Sequence, residues 1–147
     1  MKIRFPNFLC GLLVSLLVPG CAAPPMGDAS SLEGRWRNTS GKLYFSDGSS
    51  VGQTTPCWIE FSKGQSISEC TTNRGKSRIV YAYRLVAPGQ YESEVVEHKT
   101  YPEYVGVRTR TEFRIDNGVL YTTAYPPAPK QAASKVPVKT EGTWVRD

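Results

Sequence analysis

The chain has 147 residues, with 18 Lys and Arg against 13 Asp and Glu, one histidine and a formal charge of +5. That length suits one domain, and the mild basic excess comes without any basic run, so nucleic-acid binding is not supported. One histidine and the absence of a Cys-x-x-Cys spacing leave no donor set for a metal or a redox dithiol, and no cofactor is expected.

At the N-terminus, Lys2 and Arg4 precede an uncharged apolar stretch from Phe8 to Val18. This is the pattern of a secretory signal peptide. Its length of about 11 residues falls well short of the ~20 that a membrane-spanning helix needs. The run ends in Leu17-Val18-Pro19-Gly20-Cys21, which resembles the lipobox of bacterial lipoproteins. Val18 and Gly20 match the family's pattern, and Pro19 is an unusual residue between them. The resemblance implies a signal peptide over residues 1–20, a cut before Cys21, a lipidated thiol and acylated amine on Cys21, and membrane attachment through that residue. Palmitate is the kind of chain it would carry. A signal-peptidase cut after Ala23 is the competing reading, with Pro24 then directly after the cut. Ala22 stands where an aspartate would mark inner-membrane retention, so the expected location is the bacterial outer membrane, facing the periplasm or the surface. The cut before Cys21 leaves 127 residues (147 − 20) and removes Lys2 and Arg4. Residues 21–32, small and proline-rich, read as a tether, and residues 33–147 as the folded domain.

From Glu33 onward the pattern has period two with frequent turn signals, and no window carries a helical apolar stripe, so the class is all-β. Cys10 lies in the discarded peptide and Cys21 would carry lipid, which leaves Cys57 and Cys70. In the oxidising compartment of an exported chain such a pair reads as a disulfide. The hairpin register supports this independently. If Lys63-Gly64 is a two-residue turn between Cys57–Ser62 and Gln65–Cys70, then Cys57 falls directly opposite Cys70, on a non-hydrogen-bonded site where a disulfide fits. A second hairpin runs from Ile79 to Val86 and returns from Gln90 to His98. A three-residue loop, Ala87-Pro88-Gly89, puts Tyr81, Tyr83 and Leu85 on one face with Tyr91 and Val95. In a third hairpin, Asn117-Gly118 supplies the two positive-φ positions of a type I′ turn. Ile115 then pairs with Leu120, Phe113 with Thr122 and Thr111 with Ala124 on a buried face. Arg108, Arg110, Glu112, Arg114, Tyr121 and Tyr125 occupy the wet face. A proline-rich connection follows Tyr125, and the last strand lies near Thr140 to Arg146.

About eight to nine short antiparallel strands in meander order form a sheet long enough to curl. Gly34-Arg35-Trp36 opens the domain and Gly142-Thr143-Trp144 nearly ends it. Pairing of first and last strands would close an up-and-down barrel and remove both edges. Leu32-Glu33-Gly34-Arg35-Trp36 and Trp144-Val145-Arg146 resemble the lipocalin-like, or calycin, architecture. The resemblance implies that Trp36 packs at the closed end of the barrel against Arg146. No terminal helix is legible, which departs from that family. The same start followed by one cross-strand disulfide also looks like the small bacterial calycin inhibitors of secreted metalloproteases.

No catalytic constellation is legible, and the chain is not expected to be an enzyme. His98 sits near a strand end, where solvation is the ordinary outcome. Glu92 and Glu94 share an outer face, with Glu97 nearby. A binding role remains. In its first form a small apolar ligand or lipid occupies the barrel, with Ile59, Phe61, Tyr81, Tyr83, Leu85, Phe113, Ile115 and Leu120 as candidate lining. A barrel of this size either admits one small ligand or is filled by its own side chains, and both remain open. In its second form the outer face of Arg108, Arg110, Arg114, Tyr121 and Tyr125 meets an envelope protein or inhibits an exported enzyme.

Overall fold

The computed structural model describes residues 29–127 and 136–147. The signal peptide, Cys21 and most of the tether fall outside these. One helical turn, α1 (Ala29–Leu32), leads into β1 (Gly34–Phe45), β2 (Ser50–Gln53), β3 (Cys57–Ser62), β4 (Gln65–Thr72), β5 (Gly75–Ala87), β6 (Gln90–His98), β7 (Arg108–Asp116), β8 (Val119–Tyr125) and β9 (Pro137–Arg146). The sheet order is β2-β1-β3-β4-β5-β6-β7-β8-β9, and β1 also pairs with β9. Eight strands therefore close an antiparallel barrel, and β2 is one strand more. Closure pairs the β1 and β9 edges of the meander, which removes the template those edges would offer to other chains, and among the described strands leaves only the short β2 with one partner.

The extra strand comes from a break in the wall. Gly41 of β1 pairs with Gln53 of β2, whereas Arg37 pairs with Trp58 of β3. Thus β2 and β3 lie end to end along one edge of β1, with a one-residue slip across Thr54-Thr55-Pro56. Pro56 has no N–H to give to a ladder, so the pairing stops there. Just past the break, β3 is joined to β4 by the Cys57–Cys70 disulfide, with Cα atoms 4.1 Å apart. The two cysteines are direct register partners, as the Lys63-Gly64 turn requires.

The turn chemistry sets the rest of the register. Lys63 and Gly64 take φ of 48° and 81°, and Asn117 and Gly118 take 50° and 76°, the paired positive values of a type I′ hairpin. Across β5 and β6, Tyr81 faces Val95, Tyr83 faces Ser93 and Leu85 faces Tyr91, which is the three-residue-loop register. A bulge between Val80 and Tyr81 then shifts the pairing so that Ile79 faces His98. β5 begins at Gly75, four residues before the sequence pattern suggests, because the hairpin from β4 continues its ladder to a tight turn after Thr72.

The closed end of the barrel gathers α1 and the three tight turns. The Tyr83 N–H donates to the Gly64 carbonyl (2.7 Å), and the Phe113 N–H donates to the Gly89 carbonyl (2.7 Å), tying each turn to the next strand but one. Inside this end, Leu32, Trp36, Phe61, Tyr83, Tyr91, Phe113 and Leu120 form one buried cluster. Phe61, Tyr83 and Tyr91 meet edge to face with centroids 5.2 to 6.0 Å apart, an arrangement worth about 0.5–1.5 kcal/mol per pair beyond area burial. Trp36 is fully buried and its Nε1–H donates to the Leu32 carbonyl (2.8 Å). The Arg146 guanidinium lies 4.5 Å from the centroid of the Trp36 ring. It also donates to the carbonyls of Glu33 (2.8 Å) and Ser31 (2.9 Å), at the C-terminal end of α1, where a cation is favoured. The arrangement expected from the two Gly-x-Trp segments is thus present, and it locks α1 across the barrel floor.

Candidate ligand-binding site

The register gives every strand residue a side of the wall. Inward positions of the closed half carry large rings and leucines. Those of the opposite half are smaller and more polar: Ser68 and Cys70 on β4, Ser77 and Ile79 on β5, Ser93 and Val95 on β6, Thr109 on β7, Thr122 and Ala124 on β8, Thr140 and Gly142 on β9, and Gly41 and Leu43 on β1. The floor side chains are sealed, with Trp36 and Leu120 at 0% exposure and Phe61 at 1%. By contrast Ser68, Ile79, Tyr81, Thr109, Thr122, Ala124 and Thr140 are only half-buried, although they face the inside of a closed barrel.

The hydroxyl groups sharpen this contrast. Among the described residues, those of Ser68, Thr109 and Thr140 make no hydrogen bond to the protein, yet no buried side-chain polar atom lacks a partner. Unpartnered hydroxyls that face inward therefore remain in reach of solvent. This half forms a looser cup above the floor, although Cys57, Ser93 and Val95 within it are buried. Its floor is marked by Trp144, whose Nε1–H donates to Thr122 Oγ1 (3.0 Å). The indole fits because residue 142 is glycine: a Cβ there would lie 2.6 Å from Trp144 Nε1 and 2.8 Å from Thr122 Oγ1. Burial pushes the Tyr81 hydroxyl up to about 12. It does the same for Tyr91, with the adjacent Thr111 hydroxyl opposing it and Tyr81 and Tyr83 adding a smaller upward push. Both phenols stay neutral donors at physiological pH.

The candidate lining divides between the two halves. Phe61, Tyr83, Phe113 and Leu120 belong to the buried cluster, with Ile59, Leu85 and Ile115 packed against it. Ile59 and Tyr81 sit at the level where the floor gives way to the cup. At the mouth, His98 is buried rather than solvated (7% exposed). The 3₁₀ turn Pro102–Tyr104 folds back on it, so that Tyr101 meets the imidazole edge-on (5.2 Å) and Tyr104 stacks (5.9 Å). The Tyr101 backbone N–H donates to His98 Nδ1 (3.3 Å). Of the large apolar side chains exposed among the described residues, Val51, Val96, Tyr101, Tyr104, Val105, Tyr125 and Val138 all lie toward this end, and Val86 alone lies toward the other. The mouth is therefore the apolar end of the outer surface.

The outer arginine face is occupied with its own neighbours. Arg108 pairs with Glu94 (2.8 Å) and Arg84 with Glu92 (3.1 Å). Arg114 lies 3.9 Å over the Tyr121 ring and pairs with Asp116 (3.6 Å). The Tyr125 hydroxyl donates to Glu112 (3.5 Å), and Arg110 is exposed opposite Tyr125. A groove of about 180 Å³ crosses β5, β6 and β7 here, lined by Ala82, Arg84, Glu92, Glu94 and Arg108 with parts of Tyr83 and Ser93. Its charges are mutually compensated. Among the described residues no cluster of three or more His, Cys, Asp or Glu could hold a metal ion.

No protein-family model matches the chain, and no curated protein does. Among solved structures, a lipocalin-like protein from Bacteroides uniformis matches with a TM-score of 0.51 and 17% sequence identity, over 80% of this chain and 99% of that one. At that identity the likeness establishes the fold, a lipocalin-like barrel.

Proposed function

We propose that this protein is an envelope lipoprotein that holds a small apolar ligand or lipid in the open half of its barrel and catalyses no reaction. The observation that supports the binding role is the solvent-accessible cup above a sealed floor, with its apolar mouth. The fold adds to this, since lipocalin-like barrels are binding folds as a rule. The lipobox-like sequence at Cys21 supports the anchor. Two or more acyl chains give stable attachment where one alone does not. The tether leads into α1 at the closed end of the barrel. Residues 22–28, ahead of α1, reach at most ~25 Å when extended, which keeps the domain beside the membrane.

Two measurements test the two parts separately. Native mass spectrometry of the full-length chain extracted from membranes is expected to show a small-molecule adduct. A clean apo mass, with no displacement of a fluorescent lipid probe, would remove the ligand reading. Metabolic labelling with palmitate is expected to mark the protein and to be lost in Cys21→Ser. Unchanged labelling, or a mature N-terminus at Pro24, would remove the anchor.

A further inference from the structure

Among the described residues, every Lys, Arg, Asp and Glu of the barrel strands except Arg146 stands at an outward register position. Arg146 itself is engaged beneath the floor with Trp36, Glu33 and Ser31. Among the described residues the cup thus offers no fixed charge, and His98 at its mouth is occupied by Tyr101 and Tyr104. What it offers is mixed: apolar Ile59, Ile79 and Val95 face inward from β3, β5 and β6, and Leu43 and Ala124 from β1 and β8. Between them the Ser68, Thr109 and Thr140 hydroxyls are inward, solvent-accessible and unpartnered among the described residues.

Resting on the ligand-binding reading above, we infer that the ligand is an uncharged amphiphile, its apolar chain against the inward aliphatic side chains and its hydroxyl or ester head held by the inward serine and threonine hydroxyls. A ligand that fills the cup expels its water. A carboxylate or phosphate brought in would lose hydration with no cation to replace it. A hydroxyl or ester loses less and regains its hydrogen bonds from threonine.

The full-length chain in detergent micelles is incubated with an equimolar mixture of a long-chain alcohol, the carboxylic acid of the same chain length and its methyl ester, and then released for native mass spectrometry. The alcohol and ester adducts are expected to exceed the acid adduct by about tenfold or more. An acid adduct equal to or greater than the others overturns the inference while leaving the ligand reading intact. Absence of all three adducts overturns both. Ala124→Arg places a guanidinium on the inward face of β8, and Thr109→Arg serves if that variant does not fold. Either is expected to turn the preference toward the acid. An unchanged preference in a folded variant means that selectivity is set outside the cup, which also overturns the inference.

Discussion

The two halves of this barrel are built from the same strands and hold opposite contents. Below the level of Trp144, the inward positions carry Trp36, Phe61, Tyr83, Tyr91, Phe113 and Leu120 in mutual contact. Above it, the same strands present mainly serine, threonine, alanine and glycine, with Leu43, Ile79 and Val95 among them, and unpartnered hydroxyls face accessible space. The wall differs as well. At the closed end it is continuous and crossed by Arg146, while toward the mouth it breaks at Thr54-Thr55-Pro56 and is joined by the disulfide. Stability is thus concentrated at one end, and the other is free to be hollow.

Truncations should separate the halves most sharply. Trp36→Ala is expected to cost about 3–5 kcal/mol in denaturant unfolding, the range for a fully buried aromatic residue. Ile79→Ala, on the cup wall, should cost roughly 1–2 kcal/mol, because its burial is partial. Equal losses would erase the distinction. Removing both cysteines, Cys57→Ser with Cys70→Ser, is expected to lower stability by about 3 kcal/mol in the chain-entropy account. Hydrogen exchange in that variant should rise around β2, β3 and β4 near the mouth and stay low around Trp36.

Alkaline pH probes the level where the halves meet. The folded-state values of Tyr81 and Tyr91, raised to about 12 by burial, lie above the unfolded value of 10.0. Their contribution is therefore complete below pH 10 and is lost as pH rises through about 12. By linkage each represents roughly 2–3 kcal/mol. Unfolding midpoints should be flat toward pH 10 and fall beyond it, and replacing both tyrosines with phenylalanine should flatten that fall. A more local effect concerns Gly142. Gly142→Ala must displace the Trp144 ring or Thr122, at a cost of about 1–3 kcal/mol. It should shift Trp144 fluorescence while leaving the Trp36 environment unchanged.

Much of this architecture was legible in the chain. Lys63-Gly64 and Asn117-Gly118 dictated two registers outright, because positive φ at both positions leaves few other turns. The first of them placed Cys57 opposite Cys70. Gly34-x-Trp36 and Gly142-x-Trp144 announced closure. The contents of the barrel were harder to read. Period-two alternation says which side chains face inward but not how deep they lie. Phe61 and Ile59 look alike in sequence, yet one is sealed and the other stands at the edge of the cup. The alternation puts Thr109 on the buried face, but small polar residues such as Thr109, Ser68 and Thr140 carry no apolar signal. Their meaning appears only when eight strands bring them to one side of a floor. The β2–β3 break was hidden for a related reason: Pro56 signals a strand end, but not that both pieces share one edge of β1. His98 likewise looked solvated until the turn carrying Tyr101 and Tyr104 was seen to cover it.

The division into floor and cup is tested most directly by two single-tryptophan proteins. One keeps Trp36 in a Trp58→Phe, Trp144→Phe background, and the other keeps Trp144 in a Trp36→Phe, Trp58→Phe background. Quenching by acrylamide, a small neutral solute, reports how far water-soluble molecules penetrate. Trp144 is expected to be quenched several-fold more efficiently than Trp36, with protection restored when an uncharged amphiphile is added. If Trp144 proves as protected as Trp36 without any ligand, the barrel is packed throughout, and the account of an open half is wrong.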